Sequence, residues 1–300
     1  MPHKPKILLL VDRPGWVFDT IAKAYVKYLS DDFDFNICYV VENPDLEKWN
    51  FDLLYIFFWG ETYHQKFNIN PKKIVKEISS YRWMNEPQYG LLNPKEMANR
   101  YLYDAGSVTS TSKSVMRLLS PYRTVHWMPN GYDPDIFQNK VVRSGPIKIG
   151  WAGNINDPCK GIADIVIPAI GDDYHFAIAH DLSFEKMPDF YNNIDVYVIA
   201  STAEGQPITL IESMACGCFP VCVDTGIVPE IITHRKNGLI VDRKVESFRA
   251  AFYWCNLNKD YIRNIGGNNA KNISGIRSWS IIIKQCKQSL FAIIERVNNE

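Results

Sequence analysis

Residues 195–220 read DVYVIASTAEGQPITLIESMACGCFP. The first six have the pattern of a buried parallel strand. A polar stretch follows and ends in Pro207, which suits the first position of a helix because its missing N–H would be unsatisfied there anyway. Gly217 suits the position just past that helix. The expectation is strand, polar loop and short helix, with the helix N-terminus beside the C-terminal end of a strand. Free N–H groups at such a point favour phosphate, and in open α/β sheets ligands bind there. Two carboxylates occupy the stretch. Glu204 stands with Gly205 in the turn. Glu212 falls about one and a half turns into the helix and leans back toward its start, within reach of a ligand hydroxyl. A charge inside so apolar a helix is normally paired or functional. A structural ion pair would look the same in sequence.

The same alternation extends in both directions. Upstream, 6–12, 35–41, 53–59, 107–111 and 124–128 read as strands, and 17–29, 93–103 and 112–119 as helices. Downstream of a polar segment at 133–146, read as an interdomain linker, strands are expected at 147–151, 174–179, 195–200, 220–223 and 238–241. Helices are expected at 162–170, 187–193 and 229–232 and from residue 245 onward. Strands alternating with helices predict parallel sheets covered on both faces. Two α/β domains are expected, 1–140 and 146–275, with a helix at 280–297 packing back on the first.

Composition narrows the function classes. Lys+Arg and Asp+Glu both number 33, so there is no net basic field of the kind that marks a nucleic-acid binder. Seven cysteines, an odd number, do not read as a disulfide framework. Cys216, Cys218 and Cys222 lack zinc-site spacing and a histidine partner. No apolar run reaches the length of a membrane span and the N-terminal run is too short for a signal peptide. A cytoplasmic location is the simplest expectation.

The segment 204–217 resembles EG-x-P-x4-E-[AS]-M-A-C-G, the E-x7-E motif of retaining glycosyltransferases with the GT-B fold (glycosyltransferase family 4, group 1). The resemblance is strongest over 122–242 and weak in the first 120 residues. It implies two Rossmann-like domains facing a cleft, the N-terminal one trimmed and serving the acceptor, the C-terminal one binding the donor. By that resemblance Glu212 would bind the donor ribose and Glu204 would face the transferred sugar. Backbone groups of Gly205, Gln206, Pro207, Ile208, Thr209 and Leu210 would meet the sugar hydroxyls and pyrophosphate. The loop Gly153-Asn154 to Lys160-Gly161 resembles the family's G-R-x5-K-G loop, in which the arginine and lysine hold the donor diphosphate. Lys160 matches the lysine, and Asn154 replaces the arginine. Gly15 occupies the turn where the family places a Gly-rich loop, and residues 129–133 with Phe137 resemble the P-N-G-[VY]-D-x3-F stretch closing the first domain. No first-domain histidine matches the family's; His64, Tyr81, Arg82 and Trp83 are candidates by position only.

The implied activity is transfer of a sugar from a nucleotide-diphosphate sugar to a glycan or glycolipid hydroxyl, with retention and without a metal cofactor, with Glu204 and Lys160 as the catalytic pair. The Asp-x-Asp triplets at 32–34 and 133–135 are not expected to hold metal. Membrane-linked acceptors are common in the family, which implies peripheral membrane contact. The alternatives are a catalytically silent transferase-like subunit and a GT-B-fold nucleotide-sugar epimerase or hydrolase.

Overall fold

The computed structural model describes residues 4–299. The chain forms two compact units: one up to Asn130 joined by the segment from Ile282 onward, the other Gly131–Ile281.

The first unit holds β1 (Lys6–Val11), β2 (Asp34–Tyr39), β3 (Leu53–Ile56), β4 (Ile74–Ile78), β5 (Ser107–Ser110) and β6 (Val125–Trp127). All pair in parallel, in the order β2-β1-β3-β4-β5-β6. Four helices are interspersed: α1 (Val17–Leu29), α2 (Arg82–Asn85), α3 (Pro94–Tyr101) and α4 (Lys113–Leu119). The Asn93-Pro94 start is a full capping box: Asn93 accepts from the Glu96 N–H, and Glu96 accepts from the Asn93 N–H.

The second unit holds β7 (Lys148–Ala152), α5 (Ile167–Ile170), β8 (His175–Ala179), α6 (Met187–Asn192), β9 (Val196–Ile199), α7 (Ile208–Ala215), β10 (Phe219–Cys222), α8 (Val228–Ile231), β11 (Leu239–Ile240), α9 (Val245–Leu257) and α10 (Lys259–Arg277). Its parallel sheet has the order β11-β10-β9-β7-β8. The strand period of two sorts β9 cleanly. Tyr197 and Ile199 face a core with Leu210, Ile211 and Met214. Val196 and Val198 face another with Trp151, Phe248 and Phe252. Both sheets therefore have the same doubly wound order, with their switch points between β1 and β3 and between β7 and β9.

The last helix, α11 (Trp279–Asn299), packs against first-unit residues: the Phe291 ring lies 4.7 Å from that of Phe33, and Lys287 Nζ 2.7 Å from Asp32 Oδ1. That ion pair engages one carboxylate of the first Asp-x-Asp triplet. In the second triplet Asp133 accepts from the Asp135 N–H. All seven cysteines are free and buried. Among the described residues no helix is long and apolar enough to cross a membrane.

Three differences from the sequence expectation have a clear physical cause. Strand β4 was not anticipated, because Lys76 and Glu77 sit at its centre. Both are buried, on opposite faces, and each has partners. Lys76 Nζ lies 2.7 Å from Asp104 Oδ1 and donates to the Tyr101 carbonyl, while the Tyr55 hydroxyl donates to Glu77 at 2.6 Å. The strand expected at 53–59 stops at Ile56. Trp59 leaves the sheet to pack edge-on against Trp83, Tyr89 and Tyr101. The segment 133–146 is bound along the second unit. Arg143 bonds the carbonyls of Ile194, Tyr191 and Cys216, and Asn192 bonds both Gln138 and Lys140 backbone groups.

Candidate functional site

The loops after β7 and β9 leave the sheet at the switch point of the second unit. The first runs from Gly153 to Gly161. Gly153 has φ +148, and its N–H donates to the Ala179 carbonyl. Asn154 is exposed, and its side-chain oxygen accepts from the Asn156 N–H, which makes it a turn former here. Asp157 caps the short turn Pro158–Lys160 by accepting from the Cys159 N–H. Gly161 follows with φ +69; a Cβ there would come within 2.6 Å of the Ala200 carbonyl oxygen. Only glycine permits this close approach of the two loops. Arg243 fastens the same junction, donating to the Ala200 carbonyl and to Asp164. The helix after Gly161 opens with one turn of π-helix, Ile162–Val166.

The second loop carries Glu204, Gly205, Gln206 and Pro207, all buried. Thr225 Oγ1 accepts from the Glu204 N–H at 3.1 Å. Gly226, φ +52, lies so close that a Cβ would stand 2.2 Å from the Gly205 carbonyl oxygen. The loop is thus fixed from below by the turn after β10.

The two loops meet in one ion pair: Lys160 Nζ donates to Glu204 Oε1 at 2.6 Å. Helix α7 begins beside it. Pro207 is the residue before the helix, one position earlier than expected, with φ −65 and ψ 105. It lies outside because its ψ is extended rather than helical, while its carbonyl accepts the first bond, from Leu210. Ile208 and Leu210 are buried, and Thr209 is half-buried, its side chain bonded to Tyr197. The helix ends at Ala215, with Cys216 capping it and Gly217 following at φ +86.

Glu212 points into the core side of α7. It is 5% exposed, and the Tyr191 hydroxyl donates to its Oε2 at 3.1 Å. Burial pushes its carboxyl up to about 7, against the lowering effect of the Tyr191 bond. The Tyr191 bond favours the ionised form, which is the form that accepts hydrogen bonds from ligand hydroxyls.

Lys160, Glu204, Gly205 through Leu210 and Glu212 are therefore carried on one switch point, with Gly153 and Asn154 on the same loop as Lys160. Gly15 belongs to the first unit. It takes φ +78 in the turn after β1, and its N–H donates to Asp19 at 2.7 Å. His64 is buried, with Nε2 2.8 Å from Asp104 Oδ2. Since Asp104 also binds Lys76, His64 is part of a structural ion cluster. Gly161, already named with Lys160 in the sequence, supports the site; Tyr191, Arg143, Thr225 and Gly226 do so too yet were not singled out. For Gly226 the available signal was a glycine soon after a strand end. Tyr191 and Arg143 carry none, since their contacts join separate segments.

Comparisons with known proteins bear on the fold and on the second unit. Residues 174–272 match the family model of glycosyl transferases group 1. The chain is 23% identical over 195 residues to an uncharacterized glycosyltransferase of Methanocaldococcus jannaschii, covering 57% of this chain and 53% of that protein. It thus spans about half the length of that curated relative. Among solved structures it resembles sucrose-phosphate synthase from Thermosynechococcus elongatus, with TM-score 0.75 and 13% identity over 96% of this chain and 100% of that one. It also resembles Anabaena HepE in complex with UDP-glucose, with TM-score 0.70 and 15% identity over 96% and 100%. The fold is GT-B, and the match to the group 1 glycosyl transferase model lies within its second unit.

Proposed function

We propose that this chain is a retaining glycosyltransferase that moves a sugar from a UDP-linked donor to an acceptor hydroxyl without a metal. The observation that carries the reading is the Lys160–Glu204 pair at the head of α7, at the sheet's switch point, with Glu212 buried one turn further on. The UDP-glucose bound to HepE, a protein of the same fold, supports a uridine nucleotide.

The chemistry follows from the charges. The bond between the sugar's anomeric carbon and the diphosphate oxygen breaks, and negative charge grows on the diphosphate. Lys160 and the first N–H groups of α7 stabilise that charge. Glu204, already held by Lys160, accepts hydroxyls of the transferred sugar. Glu212 accepts the ribose hydroxyls. The acceptor oxygen bonds the anomeric carbon on the face the leaving group vacates, and its proton passes to the departing diphosphate oxygen. The acceptor is a glycan or glycolipid hydroxyl, and the protein works in the cytoplasm with peripheral access to membrane-linked acceptors.

The test is turnover of UDP-glucose and other UDP-sugars with glycan and glycolipid acceptors, in EDTA and in Mn²⁺, with the product anomer assigned by NMR. Transfer in EDTA with the donor's anomeric configuration kept is expected. An inverted product would overturn the retaining mechanism, and a Mn²⁺ requirement would overturn metal independence. UDP binding without donor consumption would identify a silent subunit.

A further inference from the structure

Glu212 does not stand alone. Its partner Tyr191 is fully buried on α6, and the hydroxyl is the one described hydrogen-bond donor on that carboxylate. The Tyr191 ring is gripped by Phe137, with centroids 6.0 Å apart, and by Tyr197 at 5.7 Å. The backbone around it is held just as closely. Arg143 donates from Nε to the Ile194 carbonyl at 2.6 Å and from Nη2 to the Tyr191 carbonyl at 3.0 Å. The same Nη2 donates to the Cys216 carbonyl at 2.7 Å. One guanidinium thus ties the end of the helix carrying Tyr191 to the end of the helix carrying Glu212. A planar fork of five donors suits this task in a way that a lysine's point charge does not. Asn192 adds bonds to Gln138 and Lys140, so the segment 133–146 acts as a strap across α6.

We infer that Tyr191 is a positioning residue for Glu212, and that Arg143 locks the two helices so that the Tyr191 hydroxyl aims the carboxylate at the nucleotide's ribose. The inference rests on the donor-binding reading above and assigns a role that the E-x7-E motif does not contain. A carboxylate in an apolar interior accepts ligand hydroxyls well only if it is oriented and kept ionised. Tyr191 orients it with one bond, and the same bond opposes the rise that burial causes. The other titratable groups bearing on this site are Tyr197 of β9 and Cys216 at the end of α7, both pushed up by burial and so neutral at physiological pH. Helix α10 also packs on α7, but no charged group from it enters the balance at Glu212.

The experiment is UDP titration by calorimetry between pH 6 and 9, on the full chain, with Tyr191→Phe, Glu212→Gln and the double variant. Thermal melts check that each is folded. Tyr191→Phe should weaken UDP about tenfold at pH 7, the scale of one hydrogen bond to a charged group. The deficit should narrow to about threefold at pH 9, because the carboxyl then ionises without help. In the Glu212→Gln background the same change should cost less than about twofold, since the group it serves is gone. A pH-independent loss, or one that persists in the Glu212→Gln background, would make Tyr191 a packing residue and overturn the inference. If Tyr191→Phe does not fold, Arg143→Lys takes its place and must show the same dependence on Glu212. Should wild type bind no UDP, ADP or GDP, the donor-binding reading fails and takes the inference with it. Binding by wild type with unchanged binding by Tyr191→Phe sinks the inference alone.

Discussion

Lys160 Nζ and Glu204 Oε1 are 2.6 Å apart, although 44 residues separate them in sequence. Their loops leave neighbouring strands, β7 and β9, at the point where strand order reverses. The pair pre-forms the two opposite charges that the proposed reaction needs. In that proposal the ammonium serves the leaving group and the carboxylate the transferred sugar.

Removing either partner should abolish transfer while sparing the fold. Lys160→Ala and Glu204→Ala are each expected to lower kcat/KM at least 100-fold, about 2.7 kcal/mol of lost transition-state stabilisation. Stability should change by only about 1 kcal/mol, because both side chains keep some solvent contact. Initial rates and thermal melts of the same preparations check this. Full activity in both variants would show that the site is misassigned.

Gly226→Ala tests how the Glu204 loop is held. The new methyl would stand 2.2 Å from the Gly205 carbonyl oxygen, a backbone atom that cannot swing away. The loop must move, so UDP affinity is expected to fall about tenfold or more, with a stability loss of about 1–3 kcal/mol from the clash and the positive φ. Calorimetry and urea melts separate the two effects.

Two buried carboxyls make stability depend on pH in the same sense. Burial pushes Glu77 up to about 8, although the Tyr55 hydroxyl opposes it, and pushes Glu212 up to about 7. Both start from 4.5 in the unfolded chain, so the folded state holds more protons between pH 4.5 and the raised values. The stability these groups contribute is therefore present below pH 4.5 and is lost as pH rises through about 7 and about 8. Glu77→Gln keeps an acceptor for Tyr55 without a charge to bury, and should flatten the alkaline part of the decline. Urea melts from pH 5 to 9 read this directly; an unchanged slope would refute it.

His64→Ala should damage the fold and leave nucleotide binding alone. Burial works to raise Asp104, yet His64, Lys76 and Gln65 together hold it well below the usual carboxylate range. Losing the His64 bond is expected to cost about 1–3 kcal/mol of stability. UDP affinity should stay within about twofold, because the nucleotide-binding residues proposed here are carried by the second unit. A large loss of UDP affinity at unchanged stability would assign His64 a ligand role.

Which parts of this were legible beforehand follows a physical rule. Helix α1 falls at Val17–Leu29, as its apolar spacing indicates, and α3 starts at its Asn-Pro capping signal. The segment 195–220 folds as strand, loop and helix because its strand run, its Pro207 and its Gly217 are all local instructions. The motif's spacing likewise places Glu204 in a loop and Glu212 in a helix before any tertiary contact is known.

Local rules failed where distant partners reverse a residue's ordinary preference. Lys76 and Glu77 argue against a buried strand until Asp104, Tyr101 and Tyr55 are brought beside them. Residues 133–146 read as a linker until Arg143 finds the carbonyls of Tyr191, Ile194 and Cys216. The sequence by itself determined the alternation of strands and helices, the two-domain Rossmann-like design and the residue types of the site. Tertiary structure alone decided that Lys160 meets Glu204, that Tyr191 meets Glu212 and that His64 meets Asp104. Each of those contacts joins residues at least 21 positions apart, and only folding sets their distance.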